Sequence, residues 1–192
     1  CIYSIDITSK SDDAQAFVTQ GIIMANAFNH AEALRAFQQA VRLDSTCAMA
    51  YWGIVYVLGP NYNTNSQGDN ATIEKALLRA IKYASETSPW EKAVIQALSE
   101  KFPSNGIANE EAYAVAMQRA AKEFPDNDFV VTLYAESMMN LHAWALYTRI
   151  GGEPKPWTPE IVATLEKAMA LNPENPLANH LYIHATEAAP DI

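Results

Sequence analysis

Phe17, Gly21, Met24, Ala33, Phe37 and Ala40 fall at helical spacings on the two sides of a break at Asn29, and the pattern closes at Asp44-Ser45. A step of about 34 residues from Phe17 lands on Tyr51, at the equivalent place in the next apolar stripe. A period of that length, filled by two antiparallel helices, limits the fold sharply. Neither helix can bury its stripe alone, so successive pairs must stack, and stacking produces a helical array with a concave inner surface. Gly21 and Ala33 are small enough to let two helix axes approach, and Phe37 fills the space between repeats. Phe37→Ala is expected to cost about 3–5 kcal/mol.

The rest of the chain extends this pattern. A first helix over 12–27 starts from Asp12 or Asp13, and a second over 30–43 follows Asn29, which has Glu32 three residues on as in a capping box. Helices over 46–58 and 71–86 form the next pair, the latter carrying a stripe of Ile73, Ala76, Leu77, Ala80, Ile81 and Ala84. Ser88-Pro89 opens a helix to about 102, Asn109 opens one that ends at Phe124-Pro125, and helices over 128–141, 158–171 and 175–187 complete an all-α chain of about nine helices. Residues 59–70, rich in Asn and Gly, and 143–157, with Gly151-Gly152 and two prolines, read as insertions. Residues 1–11 read as an N-terminal extension to a repeat domain over 12–192. The ninth helix opens a pair without closing it, which predicts an exposed apolar face for a missing segment or a second copy.

Composition and charge narrow the partners. The chain has 192 residues, 49% of them hydrophobic, and no run of about 18 apolar residues that would span a membrane. A formal charge of -9 argues against a nucleic-acid backbone as ligand and favours basic peptides, metal cations or neutral surfaces. Two cysteines are too few for a disulfide framework, and Cys47 among apolar neighbours reads as a buried thiol. The chain begins at Cys1 without an initiator Met and stops at Asp191-Ile192, so a processed chain or a piece of a longer parent is expected. A leading Cys also admits the acylated first residue of a mature lipoprotein.

The register over 12–58, and more loosely over 110–187, resembles the tetratricopeptide repeat family; 61–104 departs from it. More narrowly, Phe28-Asn29-His30-Ala31-Glu32-Ala33, Cys47-Ala48-Met49-Ala50-Tyr51-Trp52-Gly53 and Tyr182-Ile183-His184-Ala185-Thr186-Glu187 look like bacterial repeat proteins. The resemblance implies a right-handed superhelix of antiparallel helix pairs, an α-solenoid, acting as a scaffold for a protein or peptide partner. It implies a bacterial protein of the cytoplasm or exported to the periplasm, and transfers no catalytic residue. It also implies that the first helix of each pair lines the groove, which places Trp52, Tyr56, Glu136 and Asn140 among the groove-binding residues and His180, His184 and Glu187 further along. The alternative for Trp52 and Tyr56 is ordinary packing against the 61–70 loop.

His180 and His184 are one helical turn apart, and Glu187 is on the same face three residues on. Two imidazoles and a carboxylate suit zinc or another first-row transition metal, and His142, one residue past the preceding groove helix, is a candidate fourth ligand. No Glu lies between the histidines as in the zincin motif, so hydrolytic chemistry would need a base from elsewhere, with Glu136 nearest by register. His30, three repeats away, is expected roughly 30 Å off unless the superhelix curls closed. Nucleophilic catalysis has little support, since no Ser or Cys occupies a recognisable nucleophile turn and Cys47 lacks a nearby base in sequence.

Overall fold

The computed structural model describes residues 3–103 and 106–189; Cys1, Ser104 and the tail with Asp191 and Ile192 lie outside the described residues. Among the described residues there are nine α-helices and no strand: α1 (Asp12–Asn26), α2 (His30–Leu43), α3 (Ala48–Leu58), α4 (Asn70–Tyr83), α5 (Pro89–Lys101), α6 (Glu110–Glu123), α7 (Asp128–Leu141), α8 (Thr158–Leu171) and α9 (Pro176–Thr186). None of these helices is long and apolar enough to cross a membrane.

The helix starts follow from side-chain capping. Asn29, Asp69, Asn109, Asn127 and Asn175 each accept the N–H three residues on, satisfying a donor that the helix leaves free. Ser88 and Glu91 close a reciprocal capping box with Pro89 at the first helical position. Two starts differ from the sequence pattern. The cap of α1 is Ser11, which leaves Asp12 and Asp13 inside the first turn, where their charge suits the helix dipole. The start of α3 is delayed to Ala48 because Asp44 Oδ1 accepts both the Thr46 amide (2.9 Å) and the Thr46 hydroxyl (2.7 Å), fixing a turn there.

Successive helices pack on one another along the chain. Phe37 is fully buried between Gly21 of α1 and Gly53 of α3, where an added Cβ would come within 2.6 and 2.3 Å of its ring. Ile81 departs from the expected stripe of α4 and is exposed. The odd-numbered helices also touch each other: α1 with α3, α3 with α5, α7 with α9, and α9 with α1. Phe129 of α7 joins this inner set through edge-to-face contacts with Trp52 of α3 (5.6 Å between centroids) and Trp90 of α5 (5.9 Å). The last helix therefore has neighbours on α8, α7 and α1, with Leu177, Leu181 and Ala185 buried and Ile183 exposed.

Residues 3–11 pack against the helices. Tyr3 and Ile5 are buried and Ile7 packs beside them, while Ser4 and Asp6 face solvent, the alternation of an extended segment. Gln15 of α1 takes the Ile7 amide (3.0 Å) and donates to the Ile5 carbonyl. Glu91 of α5 accepts the Thr8 amide (2.9 Å) and hydroxyl (2.7 Å), and Asp44 accepts the Lys10 amide (2.8 Å). The segment thus crosses the N-terminal ends of α1, α3 and α5, and Cys47, the residue before α3, is buried beneath it with Sγ 4.0 Å from the Thr8 carbonyl.

Candidate functional site

The C-terminal ends of the inner helices come together opposite that segment. Phe28, two residues past α1, meets His180 in the middle of α9 (4.6 Å), and the 59–70 and 143–157 insertions meet α9 through Tyr62–His184 (5.5 Å) and Trp144–His184 (5.8 Å). Lys101 at the end of α5 donates to the Pro60 carbonyl at 3.0 Å. Two polar groups occupy this end.

The first is interior. Tyr56 of α3 donates to Glu136 Oε1 of α7 at 2.7 Å, and Trp52 stacks on Tyr56 at 4.8 Å. Lys101, also buried, sits over the Tyr113 ring (4.8 Å) and 3.0 Å from Glu110 Oε1, close as an ion pair though not aligned as a hydrogen bond. Burial drives the Glu136 carboxyl up to about 7; the Tyr56 hydrogen bond and the Lys101 ammonium pull the other way, and Glu110 adds to the rise. Tyr56 and Tyr113 are pushed well up by burial, with the Glu136 charge second. Several atoms here have no hydrogen-bond partner among the described residues: Trp52 Nε1, Tyr113 Oη, Glu136 Oε2, Glu110 Oε2 and Asn140 Oδ1. Glu110 and Asn140 also line a cleft of about 500 Å³ that opens to solvent.

The expected groove residues fall mostly inside. Trp52 is 1% exposed, Glu136 5% and Tyr56 half-buried, so the register positions of Trp52, Tyr56 and Glu136 lie mostly within the helix packing, beside Phe129 and the return of α9 onto α1. Asn140 alone of the four reaches the cleft mouth. Lys101, Glu110 and Tyr113 escaped the sequence reading. The available signal was a Lys in register with Val94 and Leu98 on the buried stripe of α5, since a charge on an apolar face requires a partner.

The second group is the histidine cluster. His180 Nε2 and His184 Nε2 are 3.1 Å apart, and His184 Nδ1 is 3.2 Å from Glu187 Oε1. Glu187 and His180 therefore engage opposite nitrogens of the His184 ring and do not converge with it on one point. His142 does not join them: its ring stacks on Trp157 at 3.8 Å, and burial lowers its pKa. Among the described residues no three His, Cys, Asp or Glu side chains are placed to hold one ion, so the expected set of His180, His184, Glu187 and His142 is not assembled as a four-ligand site. His30 is nearer than a simple repeat count predicts, because Phe28 bridges it (5.9 Å) to His180 (4.6 Å). His30 Nδ1 lies 3.3 Å from the Val57 carbonyl and lines a cleft of about 400 Å³ with Phe28, Leu58, Asn61 and Gln67.

Compared with protein-family models, curated proteins and solved structures, the chain matches none of them.

Proposed function

We propose that the chain is a tetratricopeptide-like scaffold, a right-handed solenoid of helix pairs, that binds an extended segment of a protein or peptide partner. The observation that carries this reading is its own residues 3–10. They lie extended against the inner helices, with main-chain groups held by Gln15, Glu91 and Asp44 and alternate side chains buried. Side chains that clamp a main chain leave the partner's sequence free except at the buried positions, which is how an extended peptide is read. The bound chain would be neutral to basic with an apolar residue at every second position, given the charge of -9.

The test uses the whole chain carrying Ile5→Asp, which removes a buried anchor of the segment and leaves Gln15, Glu91 and Asp44 in place. A labelled peptide of unaltered sequence 3–11 should then bind it saturably in trans, and bind the unaltered chain more weakly. Absence of saturable binding by a folded Ile5→Asp chain removes the proposal.

A further inference from the structure

The start of α6 and the end of α7 leave polar atoms together that the fold does not pair. These two helices pack on each other across the short 124–127 turn, so they run antiparallel, and Glu110 at the start of one comes to the same end as Asn140 of the other. Both residues line the cleft of about 500 Å³. One turn inward, about 5.4 Å on the same two helix faces, stand Tyr113 of α6 and Glu136 of α7. Tyr113 is 1% exposed and Glu136 5%. Glu110 Oε2, Asn140 Oδ1, Tyr113 Oη and Glu136 Oε2 are each buried without a hydrogen-bond partner among the described residues. Folded chains rarely leave such atoms in one place, and here they run from the mouth of an open cleft to a carboxylate behind it.

Charge narrows what could complete them. Lys101 is the one Lys or Arg buried among the described residues, and it is already engaged by the Pro60 carbonyl (3.0 Å), by Glu110 Oε1 (3.0 Å) and by the face of the Tyr113 ring (4.8 Å). Two carboxylates against that single ammonium leave a net negative charge in a largely buried group, which water can hydrogen-bond but cannot neutralise. Three oxygens, on Glu110, Glu136 and Asn140, remain open as acceptors, and the Tyr113 hydroxyl can accept as well. An ammonium group brings one positive charge and three N–H donors. A divalent metal suits the set less, because among the described residues no three His, Cys, Asp or Glu side chains are placed to hold one ion.

We infer that the cleft between the start of α6 and the end of α7 binds a primary ammonium group, with Glu136 as its charged acceptor and Asn140 and Glu110 as the acceptors at the mouth. The group can come from a free alkylamine or from a lysine side chain of another molecule, since both present the same head. This site is at the other end of the inner helices from residues 3–10, so either proposal can fail without the other.

Calorimetric titration of the full chain at pH 8 tests it, since the Glu136 carboxyl, which titrates near 7, is ionised there and alkylamines remain protonated. Propylamine should bind saturably, one per chain, and tetramethylammonium, which has the charge but no N–H, should not. Glu136→Gln should weaken propylamine binding roughly tenfold or more, and Asn140→Leu, at a half-buried position that tolerates an apolar side chain, about three- to tenfold. Glu111→Gln should leave binding unaltered, because Glu111 is exposed and lines the same cleft without an unpartnered buried atom. N-acetyl-lysine methylamide binding as tightly as propylamine supports the inference with a lysine side chain as the source, and binding of propylamine alone supports it with a free amine. No saturable binding of either amine by the folded unaltered chain, equal binding of tetramethylammonium, or an equal loss in Glu111→Gln and Glu136→Gln would each overturn the inference.

Discussion

At the N-terminal ends of the inner helices the polar groups are matched; at their C-terminal ends they are not. Glu91, fully buried, has the Thr8 amide and hydroxyl on one side and the Ser88 amide and hydroxyl on the other. Asp44 is surrounded by donors. The opposite end holds Asn26 Nδ2, Glu136 Oε2 and Asn140 Oδ1 without a hydrogen-bond partner among the described residues, beside a hydrogen-bonded histidine pair and two aromatics at positive φ. Burial without a partner costs about 1–3 kcal/mol per polar group, so the first end is where this fold gains stability and the second is where it retains unmet chemistry.

The largest expected effect breaks the matched end. Glu91→Ala leaves four donors without their acceptor and undoes the cap of α5, and should cost about 3–5 kcal/mol in a urea melt. A loss below about 1 kcal/mol would mean that the N-terminal segment adds little to the fold.

The unmatched end should respond with the opposite sign. Because the Glu136 carboxyl titrates near 7 in the folded chain instead of its ordinary 4.5, the unfolded chain releases that proton first as pH rises. Stability is therefore lost between about 4.5 and 7 on this group's account. Glu136→Gln should stabilise the chain at pH 8 by about 1–3 kcal/mol and do little at pH 4. Destabilisation at pH 8 would show that the charge is fully compensated by Lys101 and Tyr56.

Asp44 supplies the mirror image. Burial raises its carboxyl, but the Lys10 amide and the Thr46 and Ser9 groups outweigh that and bring it down to about 2 from 3.8. Between those values the unfolded chain binds more protons, so stability is present above about 4 and is lost as pH falls toward 2. Asp44→Asn should lower stability at pH 7 by about 1–2 kcal/mol and flatten the acid limb of the profile, with no change below pH 2. An unchanged acid limb would assign that slope to other carboxylates.

The two ends were not equally legible in the sequence. The bounds of α2 and α7 follow from capping residues and apolar periodicity, those of α8 from Pro159 and Asn172-Pro173, all local signals, and the close approach of Gly21 to Phe37 follows from residue size. The segment at Tyr3, Ile5 and Ile7 has only three alternating positions, too few to separate a buried extended stretch from a loose tail. The interior placement of Trp52 and Glu136 and the nearness of His30 to His180 depend on α9 returning to α1. That return is a contact between helices at opposite ends of the chain, set by packing that no single stripe encodes. The spacing of His180, His184 and Glu187 was visible, whereas their roles were not, because spacing fixes a helix face and leaves open which ring nitrogen each neighbour meets.

The smallest effect asks whether the strain at the unmatched end is incidental. Trp144 is 65% exposed and stacks on Tyr62 at 5.1 Å, so replacing it loses limited packing. Glycine adopts φ near 60° without penalty, which recovers about 1–2 kcal/mol of backbone strain against roughly 0.5–1.5 kcal/mol of ring contact. Trp144→Gly should accordingly leave thermal stability within about 1 kcal/mol of the unaltered chain, whereas removing a buried aromatic ordinarily costs about 3–5 kcal/mol. A near-zero result means the tryptophan contributes something other than stability at that backbone position, and its contact with His184 is then the feature to explain. A loss of 3 kcal/mol would instead make Trp144 an ordinary packing residue, and the contrast between the two ends would rest on the buried polar atoms and the histidine pair alone.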